Sequence, residues 1–450
     1  MKNRKYFIRL IIGLFIVFVM VEGIGSAAAE INGIDRIPPS TFDTFVPGEL
    51  LVKFKTGVSS SLSNNLMIAN DAHYVRTLYG SPVQLWHVQE GNETATIEAL
   101  NANPNVEYAE PNYIYYAFDT TPNDPGFTNQ WAHDRIESEA AWDISTGSIS
   151  VTIAIIDSGI DETHPDLASK IVSGYDFIED DGNPHDGNGH GTHVAGIAAA
   201  VTNNSVGIAG VNWNARIMPI RVLGNTGSGT LAGIVDGINW AYQHGADVLN
   251  LSLGGTSYSQ TMQDAVTAAY NAGSLVVAAM GNCRVTNSSC PVANPTMYPA
   301  ADENVMAVAS TGPSDVYSPF SQYGSHCDIA APGGAMTYYH DPNGIYSAMP
   351  TYSVYLSTQY SYSLNYDYLH GTSQAAPHVA GLAALIWSLD PSLTPDQVQS
   401  FIESTADDLG PVGWDQDYGY GRINAAAALA AVQAQQKVYL PLVLMDYASP

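Results

Sequence analysis

The sequence predicts a three-layer α/β domain with a mainly parallel central sheet, preceded by a small α+β domain. Two patterns carry this. Five mainly apolar runs (151–156, 217–222, 248–253, 275–279 and 305–309) alternate with helix-like segments (193–201, 230–244, 259–272 and 374–389). Strands without polar alternation, separated by helices, belong to a parallel sheet covered on both faces. Upstream, about 70 residues follow another pattern: an alternating strand over 48–55, a strand at 83–88, a helix at 94–102, a turn at Asn103-Pro104-Asn105 and a strand at 106–109.

The elements fall in order along 450 residues. Lys2, Arg4, Lys5 and Arg9 precede an apolar run over 10–21 and an Ala27-Ala28-Ala29 cleavage motif. This reads as a secretory signal over 1–29, and the run is short for a membrane span. No later stretch has the length of a span, so the mature, secreted chain is expected free in the extracellular medium or peripherally attached. A leader and the small domain fill 30–120, with a polar, Pro-containing linker at 117–125. The large domain fills 121–432, and 433–450 is a tail that the sequence leaves undecided between strand, sorting signal and removable extension.

The charge balance is strongly acidic, with 15 basic against 43 acidic residues and a formal net charge of -28. That excludes nucleic acid as a partner, because phosphate recognition needs Lys and Arg. The 46% hydrophobic content supplies a sizeable core. Of the three cysteines, Cys283 and Cys290 flank a short polar loop and are placed to close it; a Cys290–Cys327 pairing is the alternative.

Chemistry is concentrated in three segments: Ile155-Ile156-Asp157-Ser158-Gly159, Gly189-His190-Gly191-Thr192-His193 and Gly371-Thr372-Ser373-Gln374-Ala375. They offer an acid, an imidazole and a hydroxyl beside small residues. A serine hydroxyl needs a base to take its proton, and the base needs an acid to fix its tautomer. A zinc site on His185, His190 and His193 would lack any further Cys or acidic ligand pattern.

These segments, extended through His190-Gly191-Thr192-His193-Val194-Ala195-Gly196 and Ala375-Ala376-Pro377-His378-Val379-Ala380-Gly381, resemble the signatures of the subtilisin-like serine proteases. Thr121-Pro122-Asn123-Asp124-Pro125 is most similar to the thermitase branch. The resemblance implies a subtilisin-like fold and a secreted endopeptidase. In it Ser373 is nucleophile, His190 base and then acid, Asp157 the orienting carboxylate and Asn282 the side-chain donor to the oxyanion. It also implies a substrate cleft with Ser252, Leu253 and Gly254 on one edge and Gly227, Ser228 and Gly229 on the other. Leu231 and Ile234 would line an apolar upstream pocket, and Ala279 and Gly281 an uncharged primary pocket favouring apolar or aromatic residues. Structural calcium is implied at Asp124, Asp166 and Asn204 with carbonyls near Val206 and Ile208. A second acidic cluster (Asp176, Glu179, Asp180, Asp181, Asp186) resembles a further calcium loop. Residues 46–117 would be an inhibitory prodomain, cut off between 117 and 122, with protein or peptide substrates and a monomeric mature enzyme.

Two departures stand out. The stretch between Gly333 and Ser373 is long and rich in tyrosine, suited either to walling the leaving-group side of the cleft or to a surface hairpin. Gln374 follows the nucleophile where the family usually has methionine, which removes an oxidisable sulfur from beside the reacting centre.

Overall fold

The computed structural model describes residues 45–113 and 120–446, and the side chains up to 436. The signal segment, most of the leader and part of the expected processing segment lie outside the described residues. The chain divides into two compact units at 117/118.

The first unit contains β1 (Phe45–Phe54), α1 (Ser60–Ile68), β2 (His73–Thr77), β3 (Gln84–His87), α2 (Glu93–Asn101) and β4 (Val106–Tyr113). Its antiparallel sheet has the order β2-β3-β1-β4. Alternate β1 residues Gly48, Leu50 and Val52 point inward, where Leu50 and Val52 meet Met67, Trp86, Leu100 and Val106. Strand β2 escapes sequence reading for a physical reason. It is an edge strand exposed along its whole length, so it carries no buried–exposed alternation.

The second unit is built on seven parallel strands. They are β5 (Thr152–Asp157), β6 (Tyr175–Asp176), β7 (Arg216–Arg221), β8 (Val248–Leu251), β9 (Leu275–Ala279), β10 (Val305–Thr311) and β11 (Ile329–Pro332), in the order β11-β10-β9-β8-β5-β7-β6. The helices are α3 (Trp131–Arg135), α4 (Ser138–Trp142), α5 (His190–Ala199), α6 (Leu231–Gln243), α7 (Gln260–Asn271), α8 (Tyr355–Tyr360), α9 (Thr372–Leu389), α10 (Pro395–Ser404) and α11 (Ala425–Asp446). Strand β5 shows why its run is apolar on both faces. Ile153 and Ile155 enter the core shared with α5 and α9, whereas Ala154 and Ile156 enter the one shared with α6 and α7. Both faces are covered, as a three-layer α/β fold requires.

The strand order reverses at β5, which has β7 on one side and β8 on the other. In open parallel sheets such a switch leaves a crevice at the carboxyl ends of the strands. Asp157 ends β5 there, and Ser252 follows β8.

The tyrosine-rich stretch is a two-stranded antiparallel hairpin, β12 (Ile345–Met349) and β13 (Asn365–Leu369), with α8 in its connection. The backbone beyond residue 432 continues α11 as helix to Asp446, so the expected tail begins inside a helix. The Ala-rich run at 425–431 favours that continuation.

Candidate active site

Helix α5 begins at His190, three residues earlier than the pattern suggested. Its first turn is organised by Asp186, which is fully buried. One carboxylate oxygen accepts from the Ser158 hydroxyl (2.9 Å) and from the backbone N–H groups of Asn188 (2.9 Å) and Gly189 (2.8 Å). The other accepts from Thr192 N–H (3.0 Å) and its hydroxyl (2.6 Å). The first N–H groups of a helix have no internal acceptors, and a carboxylate there meets the positive helix end. Asp186 therefore fixes the segment carrying His190. Sequence reading placed it in an acidic loop with Asp176, Glu179, Asp180 and Asp181, although four of its five donors lie within six residues of it.

His190 Nδ1 lies 2.8 and 2.9 Å from the two oxygens of fully buried Asp157. Burial opposes a charged imidazole, but the Asp157 charge and hydrogen bond, with Asp186 behind, outweigh it and hold the His190 pKa above its ordinary value.

Ser373 is the second residue of α9. Its hydroxyl donates to the Ser252 carbonyl (3.0 Å). Its own carbonyl would be the helical acceptor for residue 377, which is proline and has no N–H. The Ser252 hydroxyl donates to that carbonyl instead (2.7 Å), and Asn250 Nδ2 donates to the Ser252 hydroxyl (2.9 Å). Pro377 and Asn250 thus help to hold the Ser373 backbone.

Asn282 Oδ1 accepts from Thr372 N–H (2.8 Å) and its hydroxyl (3.0 Å). This fixes the amide with Nδ2 as its free end, near Gly371: a Cβ at Gly371 would stand 3.3 Å from Nδ2. The Ser373 N–H belongs to the first turn of α9 and has no intrahelical acceptor. Asn282 Nδ2 and the Ser373 N–H are thus two donors left free next to the start of α9.

His190 and Ser373 share one cleft of about 510 Å³ with Gly227, Ser228, Gly229, Ile234, Ser252, Leu253 and Gly254. Leu231 opens α6, is 43% exposed and lies outside this lining, as do Ala279 and Gly281. Met297 emerges here without a sequence signal. Its side chain is 3.4 Å from a Cβ position at Gly254 and 2.8 Å from one at Gly281, so it occupies the space between these glycines. Tyr355, Leu356 and Tyr360 of the tyrosine-rich stretch also line the cleft. They stand with Gly227–Gly229 and Ile234, the upstream arm in the resemblance. Of the two readings for this stretch, a wall on the leaving-group side and a surface hairpin, neither describes α8: Gly187 and Asn188 accept from its first N–H groups, and it lines the cleft with Gly227–Gly229 and Ile234.

A family model described as the subtilase family matches residues 148–421, and one described as the fervidolysin N-terminal prodomain matches residues 34–112. The chain is 41% identical to a thermophilic serine proteinase of Bacillus sp. (strain AK1), over 86% of this chain and 88% of that protein. It is 46% identical to thermitase of Thermoactinomyces vulgaris, over 69% of this chain and 99% of that protein. A solved protease of Pseudoalteromonas arctica PAMC 21717 superposes with a TM-score of 0.61 at 38% identity, over 69% of this chain and 99% of that one.

The chain belongs to the subtilase family. It is a serine endopeptidase with an N-terminal prodomain. Among the described residues, no helix of this subtilase is long and apolar enough to cross a membrane.

Cys283 and Cys290 are joined in this subtilase, and Cys327 is a buried free thiol, which decides between the two pairings. The acidic loop has a protein cation of its own. Arg221 pairs with Asp176 (2.7 Å) and Glu179 (3.2 Å).

The other acidic site differs. Asp124 and Asp166 are buried, and both are bonded to Asn204. Asp124 accepts from its backbone N–H (3.0 Å), and Asp166 from its side-chain Nδ2 (3.0 Å). Asp166 also accepts from Ile208 N–H (2.9 Å) and the Tyr366 hydroxyl (3.0 Å). Neither carboxylate has an ion-pair partner among the described residues. Each oxygen of the two carboxylates accepts at least one hydrogen bond, and the Asn204 amide oxygen accepts from Val206 N–H (2.7 Å).

Proposed function

We propose that Asp157, His190, Ser373 and Asn282 are the catalytic residues of a secreted, self-processing endopeptidase. The observation that carries this is the His190–Asp157 pair in a cleft shared with Ser373, with the Asn282 amide oxygen bound to Thr372, the residue before Ser373. In this reading the Ser373 hydroxyl attacks the scissile carbonyl while His190 Nε2 takes its proton. Asp157 holds the Nδ1–H tautomer and stabilises the imidazolium. The Asn282 amide and the Ser373 N–H donate to the oxyanion, each such donor being worth about 100–1000-fold in turnover. His190 then returns the proton to the leaving amine, an acyl-Ser373 forms, and water activated by His190 hydrolyses it.

The substrate backbone would pair with Ser252–Gly254 as an added strand, giving broad selectivity. Met297 between Gly254 and Gly281 makes the primary pocket apolar and supports a preference for an apolar residue before the cut. Leu231 stays a weaker contributor than Ile234, which lines the cleft. Residues 1–29 direct export, and the prodomain restrains the enzyme until cleavage between 117 and 122. Calcium would be held by Asp124, Asp166 and Asn204 with the carbonyls of Val206 and Ile208. There it supplies positive charge to two buried carboxylates; its removal should lower the melting temperature of the mature enzyme.

The test is incubation with a fluorophosphonate and peptide mapping. The expected result is a single adduct on Ser373 and loss of the N-terminal unit in the wild type, with a Ser373→Ala chain staying unlabelled and full length. An unlabelled, uncleaved wild-type chain would instead indicate a silent binding protein with this fold.

A further inference from the structure

The geometry points to α8 as a specificity element for the substrate side chain two residues upstream of the cut. This rests on the endopeptidase reading above and deepens it. The tyrosine-rich insertion is not a free surface hairpin. Tyr355 N–H donates to the Gly187 carbonyl (3.1 Å) and Leu356 N–H to the Asn188 carbonyl (3.0 Å), so the start of α8 is bonded to the residues just before His190. The Tyr352 ring stacks on His185 at 4.4 Å, and its hydroxyl donates to the Asp186 carbonyl (3.1 Å). Thr351 donates through N–H (2.9 Å) and hydroxyl (2.7 Å) to one oxygen of buried Asp161. Gly189 has no side chain, and a Cβ there would stand 3.1 Å from Val354 and 3.3 Å from Met349. The insertion therefore packs directly against the backbone that presents the catalytic imidazole.

From this anchored position Tyr355, Leu356 and Tyr360 line the cleft together with His190 and Leu223. Tyr355 and Tyr360 meet edge to face with ring centres 6.1 Å apart, which makes the wall aromatic and self-supporting. The side chain it meets follows from strand geometry. In an extended peptide successive side chains point to opposite faces. With the substrate paired to Ser252–Gly254, the side chain before the cut faces Met297 and the glycines beside it. The next one upstream faces the other way, toward His190, Leu223 and α8. His190 is the only titratable group besides tyrosine among the residues lining that cleft. An apolar or aromatic side chain buries surface there, whereas a charged one loses water without gaining a partner. The substrate class is therefore proteins cut two residues after an apolar or aromatic side chain.

The experiment compares kcat/KM for peptides that vary only at the second upstream position (phenylalanine, leucine, glycine, aspartate), in wild type and in a Tyr355→Ala/Leu356→Ala variant. The wild type should favour phenylalanine and leucine over glycine by about tenfold or more, the scale of apolar pocket contacts. The variant should lose most of that preference through KM, with the preference at the residue before the cut unchanged. Tyr360→Ala, at the exposed end of α8, should lower the phenylalanine preference alone if the double variant fails to fold. A flat wild-type profile at that position overturns the inference, and so does a variant that keeps the preference or changes equally at every position. Fluorophosphonate labelling separates the two levels: a labelled enzyme with a flat profile refutes only the role of α8, and an unlabelled one refutes the endopeptidase reading beneath it.

Discussion

Asp186→Ala, made on a Ser373→Ala chain to prevent self-digestion, tests how the catalytic helix is held. The substitution removes the acceptor for five donors. Two of these are hydroxyls that keep other partners, since the Ser158 oxygen accepts from Gly191 N–H and the Thr192 oxygen from Asp161 N–H. The backbone N–H groups of Asn188, Gly189 and Thr192 have no second acceptor in this arrangement. An unpaired buried donor costs about 1–3 kcal/mol, and water entering the vacated space limits the total to about 3–5 kcal/mol. At about 2.1 cal/mol/K of unfolding entropy per residue, a unit of about 330 residues should lose roughly 4–8 °C in melting temperature. Calorimetry of the variant, matured in trans, measures the shift. Amide exchange should show protection lost first at residues 188, 189 and 192. In a chain that retains Ser373, kcat should fall while substrate affinity changes little, because His190 moves relative to the nucleophile. A shift under about 1 °C with those three amides still protected would refute the reasoning.

Three further outcomes follow from the same site. Catalysis needs neutral His190, so activity falls as pH drops through its raised pKa; Asp157→Asn removes the main raising charge and should move the acid limb of kcat/KM to lower pH, with kcat down about 10⁴-fold. Burial holds His133 down to about 4 and His193 and His378 to about 3, so the fold keeps them neutral while the unfolded chain takes up protons below about 6.5. Their contribution to stability is full above that pH and lost below it, by up to about 4 kcal/mol per unit for the three, so the melting temperature of the Ser373→Ala enzyme should fall steeply between pH 6 and pH 5. Gln374 is buried beside the nucleophile and carries no sulfur, so Gln374→Met should make an enzyme that resists peroxide lose activity in it.

The buried layers were legible in the sequence because period and composition are local signals. The runs at 151–156 and 275–279 read as parallel strands, and β5 and β9 lie there. The catalytic segments were legible because their small residues and order recur as short motifs. What sequence reading missed is non-local. Asn250 acts through Ser252 on a carbonyl that is free because of Pro377, more than 100 residues later in the chain. Met297 takes its place from two distant glycines, and the one distant partner of Asp186 is the Ser158 hydroxyl. Arg221 gives the acidic loop an ion pair at Asp176, and only the register of β6 against β7 reveals it. The insertion read correctly as unusual, but its side of the cleft was set by hydrogen bonds to Gly187 and Asn188 that no periodicity encodes.

The most direct measurement of the central claim is kcat for Ser373→Ala, His190→Ala and the double variant, each matured in trans. Residues that act as one unit are not additive: each single change should cost about 10⁶-fold, and the double no more than either alone. Losses that multiply in the double variant, or a Ser373→Ala enzyme that keeps more than about a hundredth of its turnover, would contradict the account.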